Sequence, residues 1–147
     1  MDTKKRIIAV LIVFVMILSC GCFGRLKARN LTEVKAAVTK AGYKQEYMSE
    51  YQGTTSTMGC MLNRGWIVYF FDYGKDKKDF ERFLSMMDLN DIFDTKHGPN
   101  YTIYEGANNT NYWIYVRVDN TLLQVSGPKR DKEDIKAFVT ELGYYKE

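Results

Sequence analysis

The chain has 147 residues, a net charge of +3, three cysteines, one histidine and 14% aromatic residues. That length suits one ordinary domain, large enough to bury a core without a metal or a disulfide lattice. Lys4, Lys5 and Arg6 against Asp2 account for +2 of the charge. The remainder is nearly neutral and gives no electrostatic basis for nucleic-acid binding.

Residues 1–6 form a positive segment, Ile7 to Leu18 are 12 uninterrupted apolar residues, and Ser19, Cys20 and Gly21 are small. This is the three-part layout of an export signal. Twelve helical residues span about 18 Å, short of the roughly 30 Å of a hydrocarbon core. Ile17-Leu18-Ser19-Cys20 resembles the lipobox of bacterial lipoproteins. There an aliphatic residue stands three before the cysteine and a small one immediately before it. Ile17 and Ser19 match, and Leu18 stands where a small residue is usual. The resemblance covers only the leader and Cys20. It implies a diacylglyceryl group on the Cys20 thiol and cleavage between Ser19 and Cys20. It also implies a site of action at the extracytoplasmic face of the cell membrane, or at an outer membrane where one exists. Cys22 is the alternative lipidation site, with Gly21 before it but Ser19 in the aliphatic position. An uncleaved signal anchor over residues 7–23 is a further alternative, because those 17 residues reach the lower edge of spanning length.

Residues 1–19 are thus read as the signal peptide, 20–29 as a lipidated tether and 30–147 as a single domain. Arg25, Lys27 and Arg29 in the tether suit contact with anionic headgroups. An oxidising compartment permits a Cys22–Cys60 disulfide. A tether is a poor place for a structural bridge, so Cys60 is expected to be a small buried apolar residue.

Asn30 and Glu33 have capping-box spacing, and Leu31, Val34, Val38 and Ala41 mark one face of a first helix that Gly42 ends. Tyr43 to Tyr51 reads as a strand with Tyr43, Tyr47 and Tyr51 on one side. Gly53 to Gly59 reads as a loop. Trp66 to Asp72 is the strongest strand, and its unbroken apolar character predicts a central, well-covered position. Asp76 caps a second helix with Phe80, Phe83, Leu84 and Met87 buried. Strands follow at Tyr101–Glu105, Asn111–Val118 and Thr121–Val125. The last two are joined by Asp119-Asn120, a turn that accepts positive φ. Ser126, Gly127 and Pro128 break the last strand. A final helix starts near Asp131, buries Ile135, Phe138, Val139 and Leu142, and ends at Gly143. Residues 34–46 resemble 135–147, and 76–84 resemble 131–139. The offsets differ, 101 against 55, which favours similar amphipathic helices over a tandem repeat.

The order predicts an α+β two-layer sandwich. A mainly antiparallel sheet of four to five strands carries about three helices on one face, and Tyr43, Tyr47 and Tyr51 line the other as a possible binding surface. Chemistry-bearing motifs are sparse. His97 sits in a Gly-Pro turn without metal-ligand spacing around it. No nucleophile elbow, phosphate loop or dinucleotide fingerprint occurs. Asp72, Asp76 and Asp79 cluster as calcium or acid–base candidates, although helix capping accounts for two of them. No cofactor and no metal are expected. The expected role is a non-enzymatic binding or assembly module of the cell envelope. Its partners are the membrane, through the lipid, and an envelope protein, a peptide or a cell-wall glycan. The alternative is a small hydrolase or transferase using His97 with carboxylates such as Asp94.

Overall fold

A computed structural model describes residues 24–146, with the side chain of Tyr47 left out; the segment expected to be an export signal, with Cys20 and Cys22, lies outside the described residues. Helix α1 (Leu31–Lys40) starts as its spacing predicts. Asn30 Oδ1 accepts from Glu33 N at 2.9 Å, and the Glu33 carboxylate accepts from Asn30 N at 3.0 Å. Gly42 and Gly143 end their helices with φ of +80° and +78°, the left-handed region that spares only glycine a Cβ clash.

Seven strands follow: β1 (Gln45–Gln52), β2 (Ser56–Leu62), β3 (Ile67–Asp72), β4 (Asp94–His97), β5 (Tyr101–Ala107), β6 (Asn111–Val118) and β7 (Thr121–Pro128). They form one sheet in the order β1-β2-β3-β7-β6-β5-β4, antiparallel throughout. The fold is therefore α+β, with more strands than the expected four to five. The two additions are β2, hidden in a Thr, Ser and Gly stretch that resembles a loop, and the four-residue β4. Strand β7 also runs through Gly127 and Pro128, where a break is expected. Gly127 belongs there because a Cβ would lie 2.6 Å from Trp66 Cδ1.

The helices divide between the two faces, which corrects the expectation of all helices on one face. One face packs α1 and α4 (Lys132–Glu141) over Met58, Leu62, Val68, Phe70, Ile114, Val116, Leu123 and Val125, all buried. Tyr144 seals this core, with its hydroxyl 3.0 Å from Thr121 Oγ1 and accepting from Arg29 N at 3.2 Å. Helix α2 (Lys77–Met87) and the one-turn α3 (Leu89–Ile92) pack on the other face. Phe83 meets Phe71 with ring centroids 4.9 Å apart, and Phe80 meets Tyr73 at 5.3 Å. Phe71 neighbours Phe70 in the chain, and successive strand residues point to opposite faces, so α2 lies across the sheet from α1 and α4. Each three-strand meander, β1–β3 and β5–β7, is followed by a helix at the 55-residue offset seen in the sequence. Because α2 and α4 take opposite faces, the two units do not superpose.

The final helix departs from its expected cap. Asp131 precedes α4 but makes no capping bond. Its Oδ2 instead accepts from Trp66 Nε1 at 2.9 Å, satisfying the indole of a side chain with no exposed surface. A buried N–H needs a partner more than an exposed helix end does, because water can serve the latter.

Candidate functional site

Cross-strand register gives three rows on the α2 face. The first is Gly106, Trp113, Ser126, Ile67 and Met61, ending at Tyr47. The second is Tyr104, Tyr115, Gln124, Tyr69, Gly59 and Ser49, and the third is Thr102, Arg117, Leu122, Phe71, Thr57 and Tyr51. Helices α2 and α3 and the residue Phe93 cover the β5–β7 side. Phe80, Leu89 and Leu122 are buried there, and Phe93 stacks 5.1 Å from Tyr115. Cover stops at β3. Ile67 is 37% exposed, Tyr69 42% and Tyr51 64%. Strand β3 is central, as expected, but only one of its faces is fully covered.

The uncovered corner has a defined shape. Tyr69 lies over Gly59, where a Cβ would come within 2.8 Å of the ring, and it stacks on Phe71 at 6.4 Å. Beside it a shallow groove of about 400 Å³ is lined by Met48, Ser49, Gly59, Met61, Ile67 and Tyr69. Strand β1 closes the groove, and its outer backbone edge is unpaired among the described residues. An apolar groove beside a free strand edge can take an extended chain: the edge supplies backbone hydrogen bonds and the groove takes a side chain.

The three tyrosines expected to line one surface do not do so together. A β-bulge between Gln45 and Tyr47 inserts an extra residue and reverses the facing of everything before it. Tyr43 consequently packs into the α1/α4 core, 4.8 Å from Phe138 and 5.3 Å from Trp66, and burial raises its phenol above the usual value. Tyr51 is on the uncovered face. Tyr47 holds the register position opposite Met61, and its side chain is outside the described set. Ile67 and Tyr69 escape the sequence reading because the strand Trp66–Asp72 looks apolar on both sides, and Met61 escapes it because β2 is not legible as a strand. Nothing in the string says that one side stays bare.

The other candidates do not assemble. Asp94 pairs with Glu105 and His97 with Thr102, an odd spacing that sends the two to opposite faces of β4. His97 Nδ1 lies 3.3 Å from Thr102 Oγ1. Asp72 accepts from Gly74 N, Asp76 caps α2 through Asp79 N, and Asp79 pairs with Arg82 at 2.7 Å. Among the described residues no three His, Cys, Asp or Glu side chains stand together as metal ligands. Cys60 is a buried thiol that burial pushes up to about 11, which suppresses the reactive thiolate.

One further charged cluster ties α4 to β5. Glu105 meets Lys136 at 2.8 Å and Lys132 at 3.3 Å, beside the buried Tyr112 ring. Burial pushes the Glu105 carboxyl up, but the two lysines outweigh it and leave the group below its ordinary value. Burial and the Glu105 charge push the Tyr112 phenol far up. A depressed carboxyl stabilises the fold fully above the ordinary glutamate value and loses that contribution as pH falls through the folded value. Glu105→Gln should therefore lower stability by about 1–2 kcal/mol at neutral pH, and the gap from wild type should close as pH drops below about 4. Urea titrations of both proteins across pH check this. A gap that stays constant with pH contradicts the assignment.

The architecture is a seven-stranded antiparallel sheet with helices on both faces and one bare corner. A solved structure described as a GTP binding regulator, from Thermotoga maritima, is similar to this chain. The TM-score is 0.54 at 15% identity, over 84% of this chain and 95% of that one. At that identity the likeness shows the fold alone. No protein-family model matches the chain, and no curated protein matches it.

Proposed function

We propose that the chain is a lipid-anchored extracytoplasmic protein whose domain is a non-enzymatic binding or assembly module. It holds an extended segment of another envelope protein against β1. The anchor half of the reading rests on the positive, apolar and small segments of residues 1–21 and on Ile17 and Ser19 before Cys20. No helix among the described residues is long and apolar enough to cross a membrane. The binding half rests on one observation: the exposed Ile67 and Tyr69, with the partly buried Met61 beside them, lie next to a strand edge that has no partner among the described residues.

The Thermotoga protein is described as a GTP binding regulator. This chain has no phosphate-loop motif. The hydrolase alternative loses its main support, since Asp94 and His97 face away from each other.

The test is capture from native membranes after gentle extraction, comparing wild type with Ile67→Asp and Tyr69→Asp. Ile67 is 37% and Tyr69 42% exposed in a central strand, so each substitution should cost about 1 kcal/mol through strand preference, and urea titration checks that both variants remain folded before capture. A partner retained by wild type and lost tenfold or more by either variant is the expected result. Equal retention by all three proteins would remove the bare corner from the proposal.

A further inference from the structure

The chain leaves the domain at a fixed place. Asn100 clamps the start of the described chain from both sides: its Oδ1 accepts from Leu26 N at 3.0 Å and its Nδ2 donates to Leu26 O at 2.8 Å. Gly24, at φ +117°, lies against Pro99, and Leu26 is buried. Only three residues stand between Cys20 and Gly24. At about 3.3–3.6 Å per residue the connection reaches no more than roughly 14 Å.

That exit lies at one end of the sheet. The β4–β5 loop (98–100), the β6–β7 turn (119–120) and the β3–α2 loop (73–76) meet there. Tyr73 N donates to Asn120 O at 3.1 Å, and Asn120 Nδ2 to Gly74 O at 3.0 Å. Arg25, Lys75, Lys77 and Lys78 are exposed at this end, and none is in an ion pair among the described residues. Arg25 and Lys77 share a recess of about 510 Å³ with Asn100, Tyr101, Arg117 and Asn120. Asp72, Asp76 and Asp119 stand here too. Each is turned to a local donor: Gly74 N at 2.8 Å, Asp79 N at 3.1 Å and Asn100 Nδ2 at 3.2 Å. The donors are neutral, so the three carboxylates keep their charge; the four cations outnumber them by one and, being in no ion pair, stay free to turn toward a surface.

We infer that this loop end is a docking surface for an anionic bilayer, held against it by the clamped tether. The inference rests on the lipid-anchor reading. A tether of at most roughly 14 Å lets the exit loops come within the Debye length of about 8–10 Å over which the attraction acts, and the attraction then holds them there. Each unpaired lysine near such a surface strengthens the attraction by about fivefold.

The test uses the full chain purified from native membranes and placed in vesicles of phosphatidylcholine, with or without about a third phosphatidylglycerol. Mass spectrometry of the N-terminus first reads the anchor itself. Lipid on Cys20 or Cys22 upholds that reading, and an unlipidated chain starting at Met1 overturns it together with this inference. Amide hydrogen exchange then reads the orientation. Residues 74–78 and 119–121 should exchange several-fold more slowly in the anionic vesicles than in the neutral ones. Residues 63–65 and 108–110, at the far end, should not change. Lys75→Gln/Lys77→Gln/Lys78→Gln should abolish the slowing while the lipid stays attached, and so should about 0.5 M salt. Protection at the far loops, or none anywhere in a lipidated chain, overturns the docking surface and leaves the anchor standing.

Discussion

Trp66→Ala should destabilise the domain by about 3–5 kcal/mol, a large fraction of the 5–15 kcal/mol that holds a typical domain together. The indole is fully buried, with Tyr43 at 5.3 Å and Phe138 at 5.9 Å. Arg64 lies over its ring at 5.3 Å. Its Nε1 donates to Asp131 Oδ2, and that carboxylate consequently makes no capping bond to α4. The substitution removes the ring, opens a cavity and leaves Asp131 without its donor. Trp66→Phe should cost less, since it keeps an aromatic ring and loses mainly the hydrogen bond, worth about 1–3 kcal/mol with a charged acceptor. Urea unfolding should show a lower midpoint with an unchanged slope, because the area exposed on unfolding barely changes. A loss below about 1 kcal/mol for Trp66→Ala would mean that this side chain does not organise the junction of β3, β7 and α4.

Cys20→Ser should move the protein quantitatively out of the lipid-modified pool. Without the thiol there is no acceptor for a diacylglyceryl group, and on the lipobox resemblance cleavage depends on that modification. The expected product is a chain with its leader intact and no lipid mass. Cys22→Ser should leave processing and lipid unchanged. The pair discriminates sharply because Ile17 stands three before Cys20, whereas Ser19 stands three before Cys22. Loss of lipid in Cys22→Ser, with retention in Cys20→Ser, would reassign the anchor by two residues. A second acyl-chain signal, or a basic surface, is what turns marginal lipid binding into stable anchoring. The loop end carrying Lys75, Lys77 and Lys78 would supply such a surface.

Local signals were legible in the sequence where one stretch of chain decides the outcome. The Asn30 capping box, the Asp76 cap and the Asp119-Asn120 turn all form, with Asp119 at φ +50°. Strand β6 has the expected limits because alternation and turn chemistry agree there. Features set by distant residues were not legible. Asp131 has good capping chemistry, yet Trp66, 65 residues away, takes its carboxylate. Strand β2 contains Gly59, which reads as loop until Tyr69 is seen lying over it. The side of the sheet taken by α2 depends on where the chain crosses after Asp72, and neither periodicity nor composition encodes that crossing. The candidate site was half legible. The tyrosine pattern pointed to the edge strand, and Tyr51 is there. The bulge sent Tyr43 inward, and Ile67 and Tyr69 took its place.

The same bulge sets a length for whatever binds. Strand β1 is in regular phase with β2 only from Tyr47 to Gln52. A segment added to the free edge can follow that phase for six residues, about 20 Å at roughly 3.4 Å per residue. Beyond Tyr47 it must carry an extra residue of its own or leave the sheet. Edge and groove together therefore favour short extended segments, and they discourage long edge-to-edge pairing between copies of the chain.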